Sequence, residues 1–113
     1  MEELFLKKLA GAYQNYNASI IEDFLADDMH YASMWVFHEI TSKDEYMDYL
    51  TGKLQTLKEH GVRMEFQIVR GRIHEKALLV TNDEAPEGKF GFIADFNEEG
   101  KVKMLNSTIQ ALF

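Results

Sequence analysis

The stretch Leu25-Ala26-Asp27-Asp28-Met29-His30-Tyr31-Ala32-Ser33-Met34-Trp35-Val36-Phe37-His38-Glu39-Ile40-Thr41-Ser42-Lys43 decides the fold. A helix ends in it, a strand carries polar and aromatic groups on alternate residues, and another helix starts on a capping signal. Tyr31, Trp35, Val36, Phe37 and Ile40 are strand-favouring types, and a bend over Phe37 to Glu39 makes a short hairpin or a kinked strand. Ser42-Lys43-Asp44-Glu45 is a capping box: the serine oxygen accepts from the Glu45 amide, and the glutamate reaches back.

Upstream, Phe5, Leu9, Ala12, Tyr13 and Tyr16 fall on one face at helical spacing, which predicts a helix over 2–16. Asn17 caps a short second helix with the stripe Ile20, Ile21, Phe24 and Leu25, closed by Asp27-Asp28. Downstream of the capping box a third helix runs to about His60 on the stripe Tyr46, Leu50, Leu54 and Leu57, and stops at Gly61, where a left-handed residue costs little. The period then switches to two: Val62, Met64, Phe66 and Ile68 alternate with Arg63, Glu65 and Gln67. Gly71 marks a bulge or bend in that strand. Lys76 to Thr81 and Phe90 to Phe96 are further strands, separated by a turn over Asp83 to Lys89 that holds the only proline, Pro86. Asn97-Glu98-Glu99-Gly100 is a tight turn, and Val102 to Phe113 is the last strand. The expected architecture is α+β: three N-terminal helices on the concave face of a strongly curved, mostly antiparallel sheet, in the shape of a cone.

A chain of 113 residues points to one domain, 1–113, with a single core. Its formal net charge of −7 repels phosphate backbones, so nucleic-acid binding is not expected. The apolar runs are far shorter than the ~20 residues that cross a bilayer, and Met1-Glu2-Glu3 opens no secretory signal, so no membrane association is expected. The absence of cysteine excludes disulfides and thiolate chemistry and suits a reducing cytoplasm. No metal is expected, since His30 and His38 lie eight apart on an irregular segment. Gly88-Lys89-Phe90-Gly91 lacks the strand–loop–helix context of a phosphate loop, and no Gly-x-Ser-x-Gly elbow occurs. No cofactor is implied.

Several pieces of the chain, taken in order, carry a family resemblance: Leu25-Ala26-Asp27-Asp28, Tyr31-x-Ser33-x-Trp35-Val36-Phe37, Ile40-Thr41-Ser42-Lys43, and Phe96-Asn97-x-x-Gly100-Lys101-Val102. Over nearly its whole length the chain resembles the nuclear transport factor 2-like superfamily, which includes SnoaL-like (polyketide-cyclase-like) domains and ketosteroid isomerase. The resemblance implies a cystatin-like α+β roll with a pocket between helices and curved sheet, and a homodimer. It implies no single activity, because members include isomerases, cyclases, dehydratases, hydrolases, binding modules and transport adaptors. Aligned on Ala26-Asp27-Asp28, the isomerase's general base falls on Ser33 and its tyrosine donor on Leu9; aligned on Phe96-Asn97, its protonated aspartate falls on Phe92. Serine does not shuttle a carbon-bound proton unaided, and leucine and phenylalanine do not stabilise an enolate. A shift of a few residues in the first helix would bring Tyr13 or Tyr16 into the cavity instead.

The candidate ligand-binding residues are Tyr31, Ser33, Trp35, Tyr49, Lys53 and Phe92. The first three share a strand face, where they line the cone or simply fill the core. Tyr49 and Lys53 lie one helical turn apart; the lysine either counters an anionic ligand or snorkels over the tyrosine ring. His38, at the mouth of the cone, is the candidate catalytic acid/base group, or a solvated turn histidine; Glu39, His74 and Asp95 are further acid/base candidates. Asn106 and Thr108 reach the cavity or a partner subunit. Apolar Phe92, Ile93, Met104, Leu105, Ile109 and Leu112 occupy both faces of the last strands, which favours a homodimer through the sheet. The leading expectation is a domain that binds a small apolar molecule without transforming it. An isomerase-, cyclase- or dehydratase-type enzyme and a ligand-free protein-interaction module are the alternatives.

Overall fold

The computed structural model describes residues 2–33, 38–72, 74–82 and 85–109, with backbone alone for 82 and 85–89. Helix α1 (Glu2–Gln14) buries Phe5, Leu6, Leu9, Ala12 and Tyr13. It ends in a Schellman motif: the Asn17 amide donates to the Ala12 carbonyl at 2.9 Å and the Tyr16 amide to that of Tyr13 at 3.4 Å. Glycine usually fills the left-handed position of this motif. Here Tyr16 does, at φ 51°, a conformation that costs a side-chain-bearing residue about 1–2 kcal/mol. The Tyr16 hydroxyl donates to the Val62 carbonyl at 2.9 Å, an anchor for the unusual backbone.

Asn17 does cap the next segment, accepting from the Ser19 amide at 3.1 Å, but that segment (Ala18–Phe24) is a 3₁₀ helix. With three residues per turn, positions three apart eclipse. Ala18 and Ile21 are therefore buried, whereas Ile20 and Phe24 are only partly covered. Leu25 already belongs to strand β1 (Leu25–Ser33), so Asp27-Asp28 lies within the strand instead of closing a helix. The reason is a bulge. The β1 register steps from Leu25↔Val102 directly to His30↔Met104, and the extra residues leave both aspartates exposed.

Beyond Ser33 the chain doubles back: Tyr31 and Ile40 exchange backbone hydrogen bonds at 2.8 and 3.0 Å. Residues 34–37, Trp35 among them, lie outside the described residues. Helix α2 (Lys43–Glu59) starts on Ser42, whose Oγ accepts from the Glu45 amide at 3.1 Å, and buries Tyr46, Leu50 and Leu54. It ends in a second Schellman motif, with Gly61 at φ 63° and the Val62 amide donating to the Leu57 carbonyl at 3.0 Å.

Four more strands follow: β2 (Met64–Val69), β3 (Ala77–Asn82), β4 (Ala85–Phe96) and β5 (Val102–Ile109). They form one sheet with β1 in the order β1-β5-β4-β3-β2, parallel between β1 and β5 and antiparallel elsewhere. Gly71 follows β2 instead of interrupting it. The expected turn over Asp83 to Lys89 is much shorter, because Ala85 to Lys89 already belong to β4. Pro86 falls where the β3–β4 register slips, a place that tolerates a residue without an N–H. Asn97 Oδ1 accepts from the Glu99 and Lys101 amides, both at 2.9 Å, and Gly100 at φ 78° completes that turn. Three slips in register, in β1, between β3 and β4, and at Asp95/Phe96, bend the strands they interrupt.

Register fixes the two faces. One row across the sheet reads Ser33, Ser107, Phe92, Leu78, Ile68, and the next reads Tyr31, Leu105, Ala94. These rows face the helices: Phe5 meets Phe96 and Tyr13 meets Phe92. The result is an α+β roll of three helices packed on a mixed five-stranded sheet.

Candidate functional site

Helical spacing on α2 and the pleat of β1 bring four tyrosines together. Tyr46 and Tyr49 lie three residues apart on one face of α2, and β1 points Tyr31 at both. Ring centroids are 4.9 Å apart for Tyr31–Tyr46 and 5.4 Å for Tyr31–Tyr49. Tyr13, from the last turn of α1, packs on Phe66 and Phe92 at 5.8 and 5.7 Å. Lys53, one turn beyond Tyr49, donates to the Tyr49 hydroxyl at 3.4 Å; its Nζ lies 6.0 Å from the Tyr13 ring centre and 5.8 Å from that of Tyr49. The hydroxyls of Ser33, Ser107 and Tyr49 stand beside that of Tyr31.

This is an unusual interior. The hydroxyl oxygens of Tyr31, Tyr46 and Ser107 are buried, and none closes a well-directed hydrogen bond among the described residues. Burial pushes the phenols of Tyr13, Tyr31 and Tyr46 well above their ordinary value, and the neighbouring phenols add to the shift. These three groups are neutral hydrogen-bond donors at any physiological pH. The cluster therefore offers hydroxyl donors and one ammonium, but no general base of ordinary strength.

Tyr13 also walls an open cleft of about 400 Å³. Tyr16, Met64 and Phe66 give this cleft an apolar lining, and Gln14 and Arg63 a polar one. It lies where the C-terminal ends of α1 and α2 meet, clipped together by the bond from Tyr16 to Val62.

Of the residues singled out from sequence, Tyr31, Ser33, Tyr49 and Lys53 do come together, and Phe92 is fully buried against Tyr13 and Phe90. Trp35 lies outside the described residues. The His38 side chain is 77% exposed and 3.7 Å from Glu45, so it is no part of the buried cluster. Glu39 pairs with His30 Nδ1 at 2.9 Å on the surface. Asp95 pairs with His74 Nε2 at 2.9 Å, and register places it on the outer face, opposite Met104. Asn106 and Thr108 share that outer face, alternating with inward Leu105 and Ser107. Among the described residues no group of histidines and carboxylates could hold a metal ion, and no helix is long and apolar enough to cross a membrane.

Sequence reasoning read Tyr46 as core stripe and passed over Ser107. The signal was available in α2: a stripe otherwise built of leucines carries two tyrosines and a lysine at i, i+3 and i+7, side chains whose polar tips need partners.

No protein-family model matches the chain, and no curated protein does. Solved structures match closely in shape. A SnoaL-like protein of unknown function from Burkholderia thailandensis superposes with a TM-score of 0.72 at 13% identity, covering 94% of this chain and 91% of that one. A Nostoc punctiforme domain of unknown function with a cystatin-like fold gives 0.70 at 10% identity, over 95% and 74% of the two chains. A steroid delta-isomerase from Pseudomonas aeruginosa gives 0.61 at 13% identity, over 95% and 77%. The chain has the nuclear transport factor 2-like, SnoaL-like fold.

Proposed function

We propose that the domain binds a small, mostly apolar molecule at the hydroxyl cluster inside the roll and does not transform it. The observation that carries this reading is the set of buried hydroxyls on Tyr31, Tyr46 and Ser107, none of which closes a well-directed hydrogen bond among the described residues. Each such group costs a folded protein about 1–3 kcal/mol. A bound molecule that accepts hydrogen bonds would remove that cost and would be held by the same groups. The acid/base alternative has less support, because the three histidine–carboxylate pairs among the described residues lie outside the cluster.

Tyr46→Phe tests the reading. The substitution removes one unpartnered hydroxyl and keeps the ring, so the ligand-free protein should be as stable as the parent or gain about 1 kcal/mol. Native mass spectrometry of protein purified from its own cell should find a retained small molecule in the parent and less of it in the variant. A parent without retained mass, together with a variant destabilised by the loss of the hydroxyl, would assign the cluster to packing alone.

A symmetric homodimer through the outer sheet face belongs to the same proposal. The central outward positions Ala32, Asn106, Thr108, Gly91, Ile93, Leu79 and Thr81 carry no charge, although 27% of the chain is charged. Depletion of charge at the centre of a face is the mark of an interface core. Light scattering at micromolar concentration should give twice the 13.1 kDa chain mass; a particle of single-chain mass would refute the dimer.

A further inference from the structure

Resting on that reading, we infer that the ligand is an organic acid, its carboxylate received by Lys53 and the hydroxyls of Tyr49, Tyr31 and Tyr46, its apolar body lying along Tyr13 and Phe92.

The donor inventory points this way. An ammonium only donates, and Lys53 Nζ already points into the cluster, at the Tyr49 hydroxyl. The hydroxyls around it can donate or accept, so it is the ammonium that asks for an acceptor-rich partner.

Charge narrows the class. The chain has 19 acidic and 12 basic residues, so a partly buried lysine would ordinarily find a carboxylate. Among the described residues none lies within 4.0 Å of Lys53 Nζ. The groups that perturb the Tyr13 and Tyr46 phenols are burial and other phenols, with no aspartate or glutamate among them. A partly buried ammonium gains more from an anion than from a neutral carbonyl. A carboxylate brings one negative charge to one positive charge. A phosphate dianion would bring an excess with no second cation in the cluster.

Polarity also gives the ligand a direction. The cleft beyond Tyr13 carries a cation of its own, Arg63, but that side chain is exposed to solvent and sits at the C-terminal ends of two helices, whose dipoles offset part of its pull on an anion. The head group therefore belongs at the Lys53 end. The apolar body extends toward Tyr13 and the aromatic lining of the cleft.

The test uses phenylacetate, 3-phenylpropionate and octanoate, each paired with its primary amide and followed by chemical-shift titration of the folded protein. The acids should move the resonances of Tyr31, Tyr46 and Tyr49 and bind at least tenfold tighter than the amides. Lys53→Gln should abolish that preference, whereas Lys53→Arg should keep it. If Lys53→Gln does not fold, Tyr49→Phe supplies the second reading, with acid affinity falling severalfold and amide affinity less. Amides that bind these residues as tightly as the acids would overturn the acid assignment and leave small-molecule binding standing. Acids that keep their advantage in Lys53→Gln would overturn the role of Lys53. If no acid or amide moves these resonances at millimolar concentration, both the inference and the reading beneath it fail.

Discussion

Above pH 10 the protein should lose stability steeply and unfold, with tyrosine ionisation following the unfolding. Tyr13, Tyr31 and Tyr46 are buried, and their folded-state pKa values lie above the ordinary 10.0 because desolvation and neighbouring phenols disfavour the charged form. The direction follows from proton binding. Between the unfolded and folded pKa values the unfolded chain has lost these protons and the native state has kept them, so native stability falls as pH rises. Below the unfolded value the contribution is complete and flat. Each group costs about 1.4 kcal/mol per pH unit inside the window, and three together cost about 4 kcal/mol per unit. That slope is large against a typical total stability of about 5–15 kcal/mol. Absorbance at 295 nm followed beside circular dichroism checks this: at most two of the five phenols should ionise before helix signal is lost. All five ionising in a protein that keeps its dichroism would contradict the burial of the cluster.

Phe92→Ala should be the most damaging single truncation, at about 3–5 kcal/mol. Phe92 is fully buried on β4, the middle strand of three antiparallel partners. Its ring meets Tyr13 at 5.7 Å and Phe90 at 5.6 Å. Truncation removes apolar burial and also the wall against which Tyr13 is set, so the cleft side and the cluster side of that ring should loosen together. Urea denaturation measures the loss from the shift in midpoint. A loss below about 1 kcal/mol would mean that the neighbours collapse into the space, in which case Tyr13 is not held by this contact.

The helices were legible in the chain because caps and stripes are local. Ser42 with Glu45, and Gly61 at the far end, mark α2 within a residue or two. The strands after Gly61 were legible through their alternation. The boundaries that misled have a common cause. Asp27-Asp28 reads as a helix stop only if nothing downstream pairs with it, and β5, some 75 residues away, overrides that local preference through a bulge. Ala85 to Lys89 reads as turn because proline and glycine dominate it, yet its pairing with β3 is decided by a register that no short window contains.

The site was half legible. Tyr49 and Lys53 are neighbours by helical spacing alone, and Tyr31 and Ser33 by strand alternation. What no local pattern contains is that three separate elements, α1, β1 and α2, converge on one buried volume, and that Ser107 arrives opposite Ser33 through the parallel pairing of β1 with β5. His38 is a candidate by residue type alone, which says nothing about which way a side chain points.

That parallel pairing also orders events in time. β1 is complete by residue 33, but its ladder partner among the described residues spans residues 102–109. On a ribosome β1 waits through most of synthesis for that ladder, although the bridge from Tyr31 to Ile40 and the α2 tyrosines that cover its ring are made earlier. Closure of so distant a pair is entropically slow. Helper proteins that shield apolar segments would have their longest task at this strand, and the hydroxyl cluster would form only as the domain finishes folding.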